Sequence, residues 1–270
     1  MLSNVQLLCS IVRFHLTILL IGERLNFFRD GVDDMLRKLD HRYLGGAVYN
    51  WLEKDDYLST TDVNETNINF GVLQVLNDAV IAPNTGFDSI AHADLEVLTY
   101  VIDGELTHKD HTGNIGSLKR GQMKYVSAGT GITHSEANHS DIPLRLLQIW
   151  ITPNKKGHQP TYGEYHFEWE ARHNQWLHMV SDMQHDAPIT INQDVNIYTI
   201  LLDKGNTADI NVATGRQAYL MQLEGFSLAN DIALKEKDAL EIIEDHLHIE
   251  ATHTSHFIVI DMPKTDHPYM

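Results

Sequence analysis

Short apolar runs separated by glycine, asparagine and aspartate recur from about Asn67 to the end of the chain. Examples are "NFGVLQVLND", "LEVLTYVIDG" and "LRLLQIWITP", and later "VNIYTILLD", "RQAYLMQLEG" and "HFIVIDMP". The runs are rich in β-branched and aromatic residues and are bounded by turn-forming residues, which is typical of the strands of a sandwich or barrel. The pattern therefore predicts an all-β fold.

The later runs repeat the earlier ones in weaker form. "VLTYVIDGEL" followed by "SLKRGQ" resembles "YLMQLEGFSL" followed by "ALKEKD", so a strand, an acidic-Gly turn and a Leu-Lys pair recur in order. Such a repeat predicts duplication of one β module. The polar segment from Asn154 to Trp176 has no clear period and is interpreted as the connection. We therefore predict an N-terminal domain over residues 35–165, with the candidate chemistry, and a C-terminal domain over 166–270.

The first part of the chain holds one long apolar run, "VQLLCSIVRFHLTILLIG", at residues 5–22. It is interrupted by Arg13 and His15 and is short for a membrane span. No basic residue precedes it and no small-x-small cleavage site follows it, so it makes a poor signal peptide. Three interpretations stay open: an upstream extension with Met35 as the start, a packed amphipathic helix, or a membrane anchor. We predict a helical or disordered extension over residues 1–34.

Composition narrows the function classes. A chain of 270 residues with 43% hydrophobic residues can fill a sizeable core. The formal net charge of -17 and the absence of a basic run disfavour direct contact with nucleic acid. Cys9 is the only cysteine, which excludes an internal disulfide framework and a multi-cysteine metal site, and suits a reducing compartment. We expect a cytoplasmic protein without membrane contact, in which histidines and carboxylates carry any metal chemistry.

The best candidates for metal ligands lie in two predicted strands. Side chains at i and i+2 share one face of a strand, so His134 and Glu136 of "GTGITHSEAN" can converge. His92 precedes a strong strand, and Glu96 follows four residues later, on the same face if the strand is regular. Two histidines and a carboxylate form a facial set that suits Fe(II). The alternative is a solvated strand face, because pairs arise by chance among 17 histidines.

Other chemistries have weaker candidates. The chain contains no P-loop, no nucleotide-binding glycine fingerprint and no nucleophile elbow. Several further histidines lie in turns or polar strand positions and are expected at the surface: His108, His111, His139, His166, His246 and His248. Chemistry is therefore expected at the first module alone.

Longer stretches of the sequence resemble a known family. "HADLEVLTYVIDGELTHKDHTGN", "GQMKYVSAGTGITHSEAN" and "LQIWITP" resemble the signature of the pirin family, and "RQAYLMQLEG", "DALEI" and "SHFIVIDMP" resemble its second half. The resemblance runs from about Met35 to Pro263. It implies a bicupin, which is two β-sandwich barrels in one chain.

The resemblance also implies a ligand set. In the family a metal, usually iron, is held by both histidines of a His-Pro-His turn and by the histidine and glutamate of His-Ser-Glu. Here the matching residues are His92, His134 and Glu136, whereas Ile90 stands at the first histidine and Ala91 at the proline. The resemblance therefore implies a three-ligand site for Fe(II) or another divalent metal, with weakened binding.

Three groups are candidates to replace the missing fourth ligand. A water, Glu96 or Asp88 of the same turn can fill the position that Ile90 leaves open. Glu96 is interpreted either as a fourth ligand or as a structural carboxylate. Ile90 itself cannot ligate, and it makes the cavity drier and more apolar.

The resemblance implies two kinds of function. Some family members resemble quercetin 2,3-dioxygenases, in which a metal binds a flavonol and a carboxylate takes the hydroxyl proton; Glu136 is then ligand and catalytic base. A planar aromatic substrate suits the apolar cavity around Ile90. Other members act through protein partners, so a binding or regulatory protein with a degenerate metal site is the alternative. A bicupin that binds no metal is a third possibility.

Overall fold

The structure is a computed structural model that describes residues 26–28, 35–59, 69–110, 113 and 115–265. Within these residues nearly every element is a β-strand, and the two helices are short 3-10 turns at His41–Tyr43 and Trp169–Arg172. The all-β prediction is confirmed. Of the predicted 1–34 extension, residues 26–28 form a strand rather than a helix, and the others lie outside the described residues.

The strands follow one another along both halves of the chain. The first half contains β1 (Asn26–Phe28), β2 (Met35–Leu39), β3 (Gly45–Val48), β4 (Leu52–Leu58), β5 (Leu73–Ile81), β6 (Thr85–His92), β7 (Glu96–Asp103), β8 (Glu105–Asp110), β9 (Ile115–Lys119), β10 (Met123–Ser127), β11 (Ile132–Asn138), β12 (Leu144–Ile151) and β13 (Thr161–Tyr165). The second half contains β14 (Leu177–Ser181), β15 (Ile189–Thr190), β16 (Asn196–Leu202), β17 (Thr207–Asn211), β18 (Arg216–Glu224), β19 (Phe226–Ala229), β20 (Ile232–Lys235), β21 (Ala239–Ile243), β22 (His246–Ala251) and β23 (Ser255–Pro263).

The strands assemble into two two-layered barrels. The first packs a sheet of order β13-β10-β7-β12-β5-β4-β3 on one of order β6-β11-β8-β9. The second combines β1-β2-β21-β18-β23-β16-β14-β15 with β17-β22-β19-β20. The order β10-β7-β12-β5 recurs as β21-β18-β23-β16, and β6-β11-β8-β9 recurs as β17-β22-β19-β20. Two cupin-type domains with the same strand order agree with the predicted duplication.

Strand β2 crosses from one domain to the other. It pairs with β21 from Met35 opposite Ile243 to Leu39 opposite Ala239, and so extends the large sheet of the second cupin. The sequence division at residues 35–165 therefore does not coincide with the sheets in space. Residues 35–39 belong by hydrogen bonding to the second barrel.

Strand β7 separates the core of the first barrel from the junction between the barrels. Leu98 and Tyr100 join the large cluster shared by both cupins, whereas Val101 faces the interior of the first barrel. Successive side chains of a strand point to opposite faces, so Thr99 also faces the first barrel. The apolar run "EVLTYVI" is thus buried on both sides because β7 is a central strand between two cores.

Among the described residues, no helix is long and apolar enough to cross a membrane. The apolar run at residues 5–22 lies outside that part of the chain.

Candidate functional site

Strand β11 sends two candidate ligands into the first barrel. Its burial alternates along the strand, with Ile132, His134, Glu136 and Asn138 buried. His134 Nε2 lies 3.8 Å from Glu136 Oε1. The i, i+2 spacing therefore places both side chains on the inner face, as the sequence predicts.

The neighbouring strand β6 adds the third candidate. In its register with β11, His92 lies opposite Ile132 and Ile90 lies opposite His134. The His92 ring stacks on the His134 ring at a centroid distance of 5.1 Å and meets Trp150 edge to face at 4.9 Å. Ile90 is 40% exposed and lies at the rim. The structure thus brings the three predicted ligand residues into one pocket.

Three polar side chains from the facing sheet meet the Glu136 carboxylate. Lys124, Thr99 and Gln148 lie side by side on β10, β7 and β12, and we call them the polar row. Lys124 Nζ and Thr99 Oγ1, the latter at 2.9 Å, donate to Glu136 Oε1, and Gln148 Nε2 donates to Oε2 at 2.6 Å. Lys124 and Glu136 are both buried. The carboxylate is therefore held by an ion pair and two neutral donors.

Burial sets the protonation of the pocket. Burial lowers the pKa of His92, and burial together with the Lys124 ammonium lowers the pKa of His134 to about 4. Burial acts to raise the pKa of Glu136, but the Lys124 ammonium and His134 outweigh it, so the pKa lies below its usual range. At neutral pH two uncharged imidazoles lie beside a lysine–glutamate ion pair.

The donors suit a divalent metal only in part. The imidazoles are uncharged, and His134 Nδ1 is buried without a hydrogen-bond partner, as a ligand nitrogen would be. Both oxygens of Glu136, however, already accept hydrogen bonds. Among the described residues, one set of three His, Cys, Asp or Glu side chains has ligand atoms that all lie within 4.8 Å of one another. It consists of Asp40, His41 and Asp238 and lies outside this pocket. As arranged, the pocket does not fit a metal.

The cluster of Asp40, His41 and Asp238 is a set of ion pairs. The Arg42 guanidinium contacts Asp40, and Lys38 Nζ contacts Asp238 at 2.7 Å. The positive charge at this cluster is thus supplied by the chain, and the cluster is not a candidate site.

Glu96, one candidate for the missing ligand, does not reach the pocket. Strand β6 ends at His92 and β7 begins at Glu96, so a turn separates them and the expected shared face is wrong. Glu96 instead accepts hydrogen bonds from Ser127 at 2.9 Å and from Asn192 of the second cupin at 3.1 Å. Burial raises its pKa, and it is a structural carboxylate between the domains. The side chain of Asp88 lies outside the described part of the chain.

His108 is buried, and its expected surface position is wrong. It lies opposite Glu136 on the central strand β8, and β13 covers it. Its Nε2 is 2.9 Å from Glu164 Oε2 and 3.1 Å from the Tyr162 hydroxyl. Burial lowers its pKa despite the carboxylate. The exposed positions of the other histidines agree with the sequence analysis: His139, His166, His246 and His248. His111 lies outside the described residues.

The polar row is not among the residues predicted from the sequence. Each member interrupts a strand that is otherwise apolar: "MKYVS" for Lys124, "EVLTYVI" for Thr99 and "LLQIWI" for Gln148. A polar residue within a buried strand needs a partner, and that requirement was the available signal. The identity of the partner depends on cross-strand register, which the local pattern does not contain.

The second cupin shows the same positions without a polar site. Equivalence follows from the shared strand order and from the glycines Gly104 and Gly225, which end β7 and β18. The residues equivalent to the polar row and to His134 and Glu136 are, in that order, Leu240, Leu220, Val259, Leu247 and Ile249. All five are buried in the core of the second barrel. The fold does not require polar residues at these positions, so the pocket is a feature of the first cupin.

Two cupin domains in one chain define the class of protein as a bicupin, and comparison with known proteins gives the family. Residues 40–151 match the family described as Pirin, and residues 178–262 match the family described as Quercetinase C-terminal cupin domain. A pirin-like protein of Caulobacter vibrioides is 34% identical over 81% of this chain and 95% of its own length. A quercetin 2,3-dioxygenase of Escherichia coli is 32% identical over 84% of this chain and 98% of its own length. The chain belongs to the pirin family.

Solved structures agree with this assignment. YhhW from Escherichia coli superposes with a TM-score of 0.80 at 29% identity, covering 86% of this chain and 99% of YhhW. A second structure, described as bacterial pirin YhhW in complex with nickel(II), gives a TM-score of 0.78 at 30% identity over 86% of this chain and all of that one. The nickel belongs to YhhW. The resemblance to pirins is therefore confirmed, and the metal of this chain is a separate question.

Proposed function

We propose that the first cupin binds a small planar aromatic molecule of the flavonol class without oxidising it. The occupied carboxylate of Glu136 carries this proposal. A quercetinase reaction needs a carboxylate to take the flavonol hydroxyl proton. Both carboxylate oxygens of Glu136 accept hydrogen bonds, and its pKa is lowered, so Glu136 is a poor proton acceptor.

The walls of the pocket favour an aromatic ligand. His92 and Trp150 meet edge to face, and Trp150, Leu95 and Tyr162 pack as partly buried side chains on the apolar cluster around Val97. Flat apolar walls with a few fixed polar groups are typical of small-molecule sites. The relative from Escherichia coli that is named quercetin 2,3-dioxygenase suggests the flavonol class.

The test is a titration of metal-free protein with quercetin. Calorimetry measures binding, and an oxygen electrode measures oxygen uptake. We expect saturable binding at one site and no oxygen uptake. Trp150→Ala should weaken binding at least about tenfold, because an aromatic wall of the pocket is lost. Absence of saturable binding would overturn the proposal.

The matched control is Trp176→Ala. Trp176 lines a cavity of about 260 Å³ in the second cupin, together with Tyr198 and Arg216. The Trp176→Ala variant should therefore bind quercetin with the affinity of the wild type. If Trp176→Ala abolishes binding and Trp150→Ala does not, the ligand site lies in the second cupin and the assignment to the first is wrong.

A second candidate is metal-dependent quercetin 2,3-dioxygenase activity, with Fe(II) as the expected metal. The stacked, uncharged His92 and His134 favour it, since His134 Nδ1 is buried without a hydrogen-bond partner. The measurement is oxygen uptake with quercetin after anaerobic Fe(II) loading. Uptake that His134→Ala abolishes would support this candidate and overturn the first.

A further inference from the structure

We infer that Lys124 is the resident cation of the first cupin and that its ammonium keeps divalent metal ions from the pocket. Lys124 Nζ contacts Glu136 Oε1, the oxygen that also lies nearest His134 Nε2. The ammonium therefore lies beside the only carboxylate of the predicted ligand set.

The position of Lys124 is fixed by the sheet. Strand β10 pairs with β7 on one side, where Lys124 lies opposite Thr99, and with β13 on the other, where it lies opposite Glu164. Its side chain is 1% exposed. A buried ammonium is costly unless it is paired, so removal of Lys124 from Glu136 would leave two buried charges without their counterions.

The charge of Lys124 opposes metal binding. A divalent ion bound to Glu136 would lie within a few ångströms of the ammonium, where like charges repel strongly in a buried site. Ile90 acts in the same direction, because it removes an imidazole from the position opposite His134. Ile90 provides no ligand atom, and Lys124 provides the positive charge that a metal ion would otherwise bring to Glu136.

The second cupin provides an internal comparison. Leu240 and Ile249 fill the positions equivalent to Lys124 and Glu136, so that barrel has neither charge. The first barrel has both. A lysine at this place thus accompanies a charged glutamate and is not required by the packing of the fold.

The experiment measures Ni(II) binding by calorimetry to five full-length proteins. They are the wild type, Ile90→His, Lys124→Gln, the double variant Ile90→His/Lys124→Gln, and the double variant with His134→Ala. Glutamine keeps an amide donor for Glu136, as Gln148 does on the other oxygen, and removes the charge. Circular dichroism and a thermal transition show that each variant is folded.

The expected result is no high-affinity Ni(II) binding by the wild type or Ile90→His. The double variant should bind one Ni(II) at least about 100-fold more tightly than Ile90→His, because the repelling charge is gone. His134→Ala should remove that binding, which excludes uptake by surface histidines.

Three results would overturn the role of Lys124. They are Ni(II) binding by the wild type that depends on His134, equal affinity in Ile90→His and the double variant, or no binding by a folded double variant. If the double variant does not fold, the comparison of Lys124→Gln with the wild type decides. Equal Ni(II) affinity in these two proteins would then contradict the inference. The role of Lys124 extends the proposed function, but the two fail separately: Ni(II) tests the lysine, and quercetin tests the ligand.

Discussion

At the scale of single residues, one buried ion pair determines the chemistry of the pocket. Lys124 and Glu136 are 1% and 3% exposed at their side chains. Such a pair adds little net stability compared with apolar residues, but breaking it leaves an uncompensated charge. The pair therefore behaves as a unit, and each member constrains the other.

This unit gives a stability prediction. Lys124→Leu, with the residue found at the equivalent Leu240, should lower the free energy of unfolding by about 3–5 kcal/mol, because Glu136 stays buried without its counterion. Lys124→Leu/Glu136→Ile copies two positions of the second cupin and should lose less than the single variant, because no buried charge is left unpaired and only the neutral donors Thr99 and Gln148 lose their acceptor. Urea denaturation monitored by circular dichroism measures both.

The control is Lys119→Leu, whose side chain is 68% exposed. It should change stability by no more than about 0.5 kcal/mol. A single Lys124→Leu variant as stable as this control, or a double variant as unstable as the single one, would contradict the description of the pair.

At the scale of strands, the connection between the two barrels includes a crossing strand. Strand β2 pairs with β21, and the Arg37 guanidinium contacts the buried Glu241 carboxylate across that pairing. The start of the first cupin in sequence is thus fixed to the second cupin in space.

Loss of this contact should be costly. Arg37→Ala leaves Glu241 buried without the guanidinium, and we expect a loss of about 3–5 kcal/mol in the free energy of unfolding. Arg37→Lys keeps the positive charge and should lose less. Guanidinium chloride denaturation gives both values, and equal losses in the two variants would show that charge is not the reason.

Local sequence patterns predicted much of the strand arrangement. Strand identity and duplication depend on alternation and turn residues, which are local, so "VLTYVIDGEL" and its later copy predicted two β modules. The shared face of His134 and Glu136 depends only on the two-residue period. The predicted residues His92, His134 and Glu136 do meet in one pocket.

Other features depend on contacts between distant strands. Lys124 and Gln148 reach Glu136 through the facing sheet, and a turn at residues 93–95 reverses the expected direction of Glu96. The burial of His108 comes from β13, more than fifty residues later in the chain. Register and layer packing set these contacts, and the single-strand pattern contains neither.

At the scale of the whole molecule, a buried polar cluster joins the barrels. His256 Nε2 lies 3.0 Å from the Tyr100 hydroxyl of the first cupin, and Nδ1 lies 3.2 Å from Glu224 Oε2. The ionised Glu224 carboxylate can only accept, so Nδ1–H donates to Glu224, and Nε2 is left to accept from the Tyr100 hydroxyl. Burial lowers the pKa of His256 to about 4, against the opposing effect of Glu224; the Arg172 and Arg120 charges act in the same direction as burial.

The cluster predicts a loss of stability in acid. Between pH 6.5 and about 4 the unfolded chain binds a proton that native His256 refuses, so stability falls as the pH falls. From pH 7 to 4.5 this histidine should account for about 2–3 kcal/mol of the loss. Urea midpoints measured across this range give the slope.

Two variants separate this histidine from the others. His256→Gln should reduce the slope by the contribution of one histidine, because glutamine does not titrate, while His134, whose pKa is lowered as far, keeps its own contribution. His166→Gln at an exposed position should leave the slope unchanged. Identical slopes in His256→Gln and the wild type would rule out a contribution from His256.

The most direct test of the account is the metal content of the wild-type protein. Protein purified without added metal is analysed by elemental mass spectrometry, then analysed again after anaerobic Fe(II) loading and desalting. If Lys124 is the resident cation, both samples contain far less than one metal ion per chain. One tightly held metal ion per chain, lost in His134→Ala, would contradict the account and show that the pocket is a working metal centre.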